Sequence, residues 1–397
     1  MIRRLIEPSI RRAMETYPSV TLFGPRQCGK TTLARSMFPG FSYANLEESR
    51  TRELASSDPN EFFHAYPEPV IVDEIQRVPE LLSTIQYRID ERKLKGQYII
   101  TGSRQMALKS SVIQSLAGRT AVIDMLPLSL RELSDSGIRL GKEEQILAGG
   151  MPFLYDGEGK EPSRYYSDYV DTYVSRDIAD MSQIHDMDRF MRFLRLLAGR
   201  TGQLVNASAL AGDVGVSSTT IGSWMSLLEA SRLIYVLKPW YRSRTSQVVK
   251  TPKIYFTDTG VACFLLGITT PGQVLRDPLY GSLFENMVVI EALKARYDSY
   301  VADDGLFFYR TGNGTEIDLM LDRRGRMDLF EIKAGQAVDG YYLRAMRSFI
   351  QKYGEARMHV VFSGDGCGYL GADFLNYMDV YGMFMETEEP YRLSFTK

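Results

Sequence analysis

Residues 24 to 32 combine glycines, a lysine and two threonines at a spacing suited to holding phosphate. The run is Gly24-Pro25-Arg26-Gln27-Cys28-Gly29-Lys30-Thr31-Thr32. Its glycines let backbone N–H groups wrap phosphate oxygens, and a helix that starts after the loop adds the positive end of its dipole. An apolar strand, Val20 to Phe23, precedes the run. The pattern predicts ATP binding, with Lys30 reaching the β- and γ-phosphates and Thr31 ligating Mg²⁺.

A second apolar strand ends in two acids. Val70 to Val72 lead directly into Asp73 and Glu74. An aspartate at the carboxyl end of such a strand is placed to hold Mg²⁺ through water, and Glu74 is the candidate base that orients the attacking water. A solvated acidic turn is the alternative, and the phosphate-binding loop upstream favours the magnesium role.

Two further positions suit an ATP-hydrolysing site. The strand Tyr98 to Thr101 runs into Ser103, whose hydroxyl is suited to sensing the γ-phosphate. A helix over 110–118 is predicted to end at Arg119, on the rim of the domain. From there Arg119 could act as an arginine finger on a neighbouring subunit, with Arg104 as a rival. A surface arginine that caps a helix C-terminus remains the alternative.

A third set of charged residues lies in the C-terminal third of the chain. Asp318 and the Glu331-Ile332-Lys333 run are predicted to lie on two strands of a hairpin. With 322–325 as a four-residue loop, Asp318 lies opposite Leu329 and diagonal to Glu331, roughly 7–8 Å apart, so that the two carboxylates can share a divalent ion.

This arrangement resembles that of the PD-(D/E)XK nucleases, in which carboxylates hold Mg²⁺ and the lysine activates water or stabilises charge. In such folds a preceding helix often adds a glutamate. Glu285 is the first candidate for that ligand and Glu291 the second. Ile317 stands where the family has its namesake proline, so an active nuclease and a metal-free relic used for binding both remain open.

The middle of the chain reads as helix, helix, turn, helix and strand, the order of a winged helix-turn-helix. Between residues 185 and 250 we count nine Lys/Arg against four Asp/Glu, 9 − 4 = +5, in a chain of net charge −2. The basic residues are Arg189, Arg192, Arg195, Arg200, Arg232, Lys238, Arg242, Arg244 and Lys250. This local excess predicts contact with DNA through its phosphates. A winged helix used only for packing within an oligomer is the alternative.

These groups must be positioned by at least two α/β units. Short apolar strands that alternate with helices in the first third predict a parallel sheet covered by helices on both faces. The expected fold class is α/β throughout, with a helical and winged-helix part in the middle and a restriction-endonuclease-like domain at the end. The expected domains are residues 1–135, 136–270 and 271–397.

Composition sets limits on the function. With 397 residues and 44% apolar residues, the chain can bury several cores. Three cysteines and three histidines, all far apart, exclude a disulfide framework and zinc-finger spacing. No apolar run approaches the length of a membrane span, so no membrane partner is expected, and a reducing cytoplasm is the expected location.

Taken together, the motifs resemble a prokaryotic AAA-type ATPase family with a GPRQxGKTT loop and a C-terminal domain of unknown function. The matching positions are the 24–32 loop, Asn45-Leu46-Glu47, Asp58-Pro59, Val72 to Gln76, Ile100 to Ser103, Leu116 to Arg119 and Pro127 to Glu132. The resemblance covers essentially the whole chain. It implies an ATPase with ATP and Mg²⁺ as cofactors, a winged helix and a nuclease-like C-terminal domain. A homo-oligomer is expected as well, because an arginine finger acts on the nucleotide of a neighbouring subunit.

Overall fold

Two β-sheets organise the chain. The computed structural model describes residues 2–103, 112, 114–157, 159–178, 186–241, 251–301, 304–323 and 325–385. The first sheet holds five strands, all parallel, in the order β2-β3-β4-β1-β5. Its strands are β1 (Ser19–Gly24), β2 (Ser42–Asn45), β3 (Val70–Asp73), β4 (Tyr98–Ser103) and β5 (Thr120–Asp124).

Helices cover both faces of this sheet, as the alternating pattern predicts. They are α1 (Glu7–Thr16), α2 (Lys30–Met37), α3 (Ser49–Ser57), α4 (Pro59–Ala65) and α5 (Leu81–Arg92). Side chains that alternate along β3 point to opposite faces. Ile71 accordingly packs with α1 and α2, whereas Val70 and Val72 pack with α4 and α5. The α/β prediction for the first third of the chain is confirmed.

The middle of the chain is mostly helical. It contains α6 (Leu130–Asp135), α7 (Lys142–Ala148), α8 (Pro162–Tyr169) with a π-helical continuation (Val170–Ile178), α9 (Met187–Ala198), α10 (Ala207–Val214) and α11 (Ser218–Ala230). The side chains of Asn206 and Ser217 cap α10 and α11 by accepting backbone N–H bonds. A hairpin of β6 (Ile234–Pro239) and β7 (Lys253–Phe256) follows, which completes the predicted helix, helix, turn, helix, strand order.

The second sheet joins the middle and the end of the chain. Its eight strands have the order β12-β13-β11-β10-β9-β8-β6-β7. The strands after β7 are β8 (Leu306–Arg310), β9 (Glu316–Arg323), β10 (Arg326–Ile332), β11 (Arg357–Phe362), β12 (Cys367–Tyr369) and β13 (Ala372–Asn376). The helices are α12 (Thr259–Leu265), α13 (Pro271–Arg276), α14 (Tyr280–Asp298), α15 (Arg344–Tyr353) and α16 (Val380–Phe384).

The predicted boundary at residue 270 falls within shared packing. Strand β6 pairs with β8, and one apolar core contains residues from Leu126 to Phe384. The segments 136–270 and 271–397 therefore have a sheet and a core in common, and the division of the chain into three domains stays a prediction.

The hairpin that carries Asp318 has a tighter turn than predicted. Strand β9 continues to Arg323, which pairs with Arg326, and Leu329 lies opposite Met320 rather than Asp318. The predicted four-residue loop is therefore wrong. The physical reason is local: the Asp322 carboxylate accepts the N–H of Gly325 at 2.7 Å and closes a short turn. The pairing of β9 with β10 is therefore shifted by two residues relative to the prediction. Phe330 pairs with Leu319, so the next residue of β10, Glu331, lies at the level of Asp318.

No helix in the described ranges is long and apolar enough to cross a membrane.

Candidate functional site

The phosphate-binding loop runs from the end of β1 to the start of α2. At Gly24 an added Cβ would meet the carbonyl oxygen of Met125 at 2.1 Å, so no larger residue fits. Gly29 has φ +97°, in the left-handed region that favours glycine. Both glycines are thus required by the backbone that connects β1 to α2.

Lys30 points into this loop. Its side chain is buried, and its Nζ donates to the carbonyl oxygens of Gly24 at 3.0 Å and Pro25 at 2.9 Å. These neutral acceptors orient the ammonium within the loop without neutralising it. The lysine is therefore held where phosphate oxygens bound by the loop would meet a positive charge.

Thr31 and Asp73 meet as the sequence predicts. The Thr31 hydroxyl lies 2.9 and 3.0 Å from the two carboxylate oxygens of Asp73. Tyr43 donates to Asp73 Oδ2 at 2.8 Å, and Thr101 donates to Asp73 Oδ1. Burial, together with this hydrogen bond to Asp73, raises the pKa of the Tyr43 phenol, which is therefore a donor at neutral pH. Hydroxyl and carboxylate oxygens are ligands that suit Mg²⁺, so this donor set fits the predicted ion.

Sequence reasoning missed Tyr43, and it assigned Thr101 only to the hydroxyl-bearing strand end that could sense the γ-phosphate. Tyr43 is the second residue of β2 and Thr101 the fourth residue of β4, the two strands that pair with β3. Carboxyl ends of parallel strands meet at one edge of the sheet. The polar end of β4 was therefore a signal for Thr101, whereas no such pattern marks Tyr43, which lies early in β2.

Glu74 lies beside this group. It has φ +59°, and its backbone N–H donates to Thr101 at 3.4 Å. The Gln76 amide donates to its carboxylate. Glu74 lines the same cavity as Lys30 and Thr31, which is consistent with the predicted role in orienting water; that role stays a prediction.

The cavity around these residues has a volume of about 660 Å³ and is walled by two parts of the chain. One wall is the loop with its neighbours: Arg26, Gln27, Gly29, Lys30, Thr31, Thr32, Glu47 and Glu74. The other contains Pro152, Phe153 and Tyr155 from the middle segment. Arg26 forms an exposed ion pair with Glu47 at 3.3 Å.

Gln27 and Cys28 of the loop contact other parts of the chain. Gln27 accepts a hydrogen bond from Tyr165 of α8 at 2.7 Å. The Cys28 side chain is buried, and its carbonyl oxygen accepts from the guanidinium of Arg4 at 2.9 Å. The loop residues from Gly24 to Thr32, together with Asp73 and Glu74, thus line one cavity or contact residues that line it.

The two peripheral predictions have different outcomes. Ser103 ends β4 opposite Gly24, and its side chain lies outside what the structure describes, as does all of Arg104. Arg119 directly precedes β5. The first residues of β5 and β1 pair with each other, so Arg119 lies at the amino ends of these strands, and the phosphate-binding loop lies at their carboxyl ends. Its guanidinium binds Asp90 of α5 at 2.6 and 2.8 Å and the carbonyl of Ala117 at 3.1 Å. A role toward a neighbouring subunit stays a prediction.

In the C-terminal sheet the predicted acids come together. We call Glu285, Glu316, Asp318 and Glu331 the acid cluster. Glu285 lies on α14, Glu316 and Asp318 on β9, and Glu331 on β10. Lys333 lies 2.6 Å from Glu331 and 3.6 Å from Asp318. The alternative ligand Glu291 lies elsewhere, because its carboxylate binds Lys294 at 2.7 Å and the N–H of Leu130 at 2.8 Å.

Lys253 enters this cluster from β7. Its Nζ lies 2.9 Å from Glu285, 2.5 Å from Glu316 and 4.0 Å from Asp318. Sequence reasoning missed both Lys253 and Glu316. The available signal was a lysine directly before the apolar run Ile254 to Phe256, a charge in a buried strand.

Burial dominates the electrostatics of the cluster. Burial, and next the charge of Asp318, raises the pKa of Glu331. Burial also raises the pKa of Glu285, against the opposing effect of Lys253. The carboxylates are therefore costly to charge in this position unless a cation lies among them.

A divalent metal does not fit the cluster as it stands. Among the residues that the structure describes, no group of three or more His, Cys, Asp or Glu side chains could hold a metal ion. Tyr255 donates to Glu285 Oε1 at 2.6 Å, and the N–H of Ile332 donates to Asp318 Oδ2 at 2.8 Å. Glu331 Oε2 is buried without a hydrogen-bond partner in the described part of the chain. One oxygen of Glu285 and one of Asp318 are thus engaged by protein donors.

Some of the basic residues counted in the winged-helix region form ion pairs within the chain. Arg232 binds Asp124 of β5 at 2.7 Å, Arg200 binds Asp213 at 2.5 Å, and Arg189 binds Asp186 at 3.2 Å. Arg192, Arg195 and Lys238 are exposed, whereas Arg242, Arg244 and Lys250 lie outside the described residues. The exposed face of α11 carries only small residues: Ser218, Thr219, Gly222, Ser223 and Ser226.

Comparison with known proteins agrees with this division of sites. Residues 16–134 match the family described as an AAA domain, residues 141–272 match a domain of unknown function (DUF8612), and residues 280–373 match a domain of unknown function (DUF4143).

Similar proteins span most of the chain. An uncharacterized protein of Mycobacterium tuberculosis is 29% identical over 365 residues, covering 91% of this chain and 80% of that protein. An uncharacterized protein of Methanocaldococcus jannaschii is 24% identical over 326 residues, covering 68% of this chain and 66% of that protein. A Walker-type ATPase of Pyrococcus abyssi has a solved structure with 16% identity and a TM-score of 0.45, covering 67% of this chain and 96% of that one. The match to the AAA domain family and the parallel five-stranded sheet make residues 16–134 an AAA-type P-loop ATPase domain, and residues 280–373 match DUF4143.

Proposed function

We propose that this chain binds and hydrolyses ATP and that the nucleotide controls the two modules behind the ATPase domain. The observation that carries the proposal is the pair formed by Thr31 and Asp73, 2.9 Å apart, beside a lysine held inside the loop. The hydroxyl, the carboxylate and the ammonium are the three groups that Mg²⁺–ATP requires of such a site.

Each residue has a distinct part in the proposed reaction. The loop N–H groups and Lys30 would bind the phosphates, and Thr31 with Asp73 would hold Mg²⁺, which would supply positive charge to the phosphates. Tyr43 and Thr101 fix the Asp73 carboxylate by hydrogen bonds. Glu74 orients the attacking water, and Ser103 and Arg119 are proposed as sensor and finger.

The test is a comparison of Lys30→Ala with Lys95→Ala, which removes an exposed lysine from the same domain. Binding of a fluorescent ATP analogue and release of phosphate are measured for the full chain with Mg²⁺. Loss of both in Lys30→Ala, with Lys95→Ala unchanged, supports the proposal. A rate of ATP hydrolysis that is unchanged in Lys30→Ala would contradict the proposal.

Control of the other modules is supported by direct contacts with the nucleotide site. Pro152 and Phe153 of the middle segment line the cavity, and Tyr165 binds Gln27 within the loop. A nucleotide in the cavity therefore touches both the ATPase domain and the middle segment. We also propose a homo-oligomer, because an arginine finger at Arg119 needs a second subunit.

DNA is the proposed partner of the winged helix. The support is the exposed pair Arg192 and Arg195, together with the hydroxyl-rich start of α11. Fluorescence anisotropy of labelled duplex DNA tests this, with Arg192→Glu/Arg195→Glu against the exposed Arg131→Glu on α6. Weaker binding in the double variant and in higher salt is expected. Affinity that does not fall as salt rises argues against a DNA contact.

For the C-terminal module, two activities compete: metal-dependent cleavage of DNA, and binding of a partner without cleavage in a nucleotide-gated assembly. The position of Lys253 within the acid cluster favours binding without cleavage. Incubation of plasmid with Mg²⁺ or Mn²⁺, comparing the unmodified chain with Asp318→Ala, separates them. Cutting that depends on Asp318 would establish the nuclease, and equal absence of cutting supports the binding role.

A further inference from the structure

Lys253 is a buried cation that comes from outside the sequence motif it completes. Its side chain is only 2% exposed. It lies on β7, in the hairpin that follows α11, whereas the acids it contacts lie on α14 and β9. The hairpin of the winged-helix region thus delivers a positive charge into the predicted nuclease-like site.

Four carboxylates in one largely buried cluster need positive charge nearby, because an uncompensated charge removed from water is costly. A protein can supply it as a metal ion or as a basic side chain. Here Lys253 lies within 4.0 Å of three of the four acids, and Lys333 lies 2.6 Å from the fourth, Glu331. Arg310 adds a contact to Glu316 at 2.6 Å. Every acid of the cluster therefore already has a basic partner.

The geometry of the oxygens leads to the same conclusion. Mg²⁺ demands near-octahedral coordination at about 2.0–2.1 Å from its oxygens. The Lys253 ammonium lies between Glu285 and Glu316, in the space that an ion bound by both would share. Tyr255 further engages Glu285. A metal ion bound by Glu285 and Glu316 would have to displace the lysine. One bound by Asp318 and Glu331 would lie beside the ammonium of Lys333, which is 3.6 and 2.6 Å from them.

We propose that Lys253 is the resident cation of the acid cluster, so that the folded chain takes no divalent metal there. This inference deepens the proposed binding role of the C-terminal module and is independent of ATP hydrolysis. It gives the cluster a structural role, because the acids clamp β7, and with it the hairpin of the winged-helix region, to the C-terminal sheet.

The test counts Mn²⁺ bound to the nucleotide-free full chain by electron paramagnetic resonance. Unmodified protein and Asp318→Asn are expected to bind the same number of ions, because any weak binding near Asp73 is common to both. Lys253→Met is expected to gain one ion, which Lys253→Met/Asp318→Asn loses again. Lys253→Arg keeps the charge and is expected to match the unmodified chain.

The outcomes separate the inference from the proposed function. An ion in the unmodified chain that Asp318→Asn removes overturns the inference. If the unmodified chain binds that ion but leaves plasmid intact, the inference fails and the proposed binding role stands. If the unmodified chain also cuts plasmid, the inference and the binding role both fail. If circular dichroism shows that Lys253→Met does not fold, the numbers of Mn²⁺ ions bound by the unmodified chain and by Asp318→Asn still test the inference.

Discussion

The guanidinium of Arg4 donates to the carbonyl oxygen of Cys28, inside the phosphate-binding loop, at 2.9 Å. The same side chain donates to the carbonyl of Leu126 at 2.7 Å and to the carboxylate of Glu132 at 2.9 Å. A residue near the N-terminus thus supports the loop from behind and ties it to the start of α6. The loop conformation therefore depends on contacts that no loop motif contains.

We predict that Arg4→Met destabilises the fold strongly. Arg4 and Glu132 are 7% and 1% exposed at their side chains, and removing one partner of a buried pair costs roughly 3–5 kcal/mol. Arg131→Met is the matched control, since its pair with Asp135 is exposed and contributes less than about 1 kcal/mol. Urea unfolding of both variants measures the difference. Equal midpoints would show that the buried pair contributes little.

Thr31→Ala and Asp73→Asn are each expected to lower Mg²⁺-dependent ATP hydrolysis by roughly 10–100-fold, because each removes an oxygen that holds or orients the ion. Thr31→Ser keeps the hydroxyl and is expected to retain most activity. Phosphate release at varied Mg²⁺ concentration is the measurement, and higher Mg²⁺ should restore part of the rate. A Thr31→Ser variant as inactive as Thr31→Ala would contradict the role of the hydroxyl.

Gly24→Ala is expected to destabilise the ATPase domain by about 1–3 kcal/mol, as other overpacking substitutions do, and to weaken nucleotide binding. The cause is the 2.1 Å approach of the new Cβ to the Met125 carbonyl oxygen. Gly40→Ala is the control, because no atom lies within 4 Å of its added Cβ. Thermal unfolding with and without ATP reports both effects. Similar shifts in the two variants would rule out the close approach as the cause.

Arg119→Ala is expected to lower the hydrolysis rate of the assembled protein while leaving ATP affinity unchanged, as loss of an arginine finger does. Asp90→Asn weakens the contact that holds Arg119 on its own subunit and is expected to preserve or raise the rate. Hydrolysis measured across protein concentrations checks both. If both variants match the unmodified chain at every concentration, Arg119 is a surface residue that binds Asp90.

The parts of the fold that follow from local pattern were predictable. The strands of the first sheet, the loop and the capped helices α10 and α11 are each marked by residues close together in sequence. The turn after β9 was not, because a single hydrogen bond from Gly325 to Asp322 moves the ladder by two residues. Hydrophobic alternation is the same in both registers and cannot distinguish them.

The site residues also divide into those that belong to local motifs and those that meet partners far away in sequence. Thr31 and Asp73 belong to motifs, so sequence placed them correctly together. Arg4 and Lys253 reach their partners across 128 and 32 residues of sequence, and neither belongs to a motif. Charge counting also misjudged Arg232, which binds Asp124 of the ATPase domain instead of facing solvent. Partners of long-range ion pairs are set by tertiary packing, which composition does not reveal.

The pairing of β6 with β8 bears on how this protein can be cut into fragments. A fragment that starts after residue 270 would leave β8 as an open edge, ready to pair with another chain and aggregate. It would also lack the ammonium that the acids on α14 and β9 surround. Fragments for expression should therefore begin before β6. Evolutionary domain boundaries and insertions are likewise expected to fall outside residues 234–256.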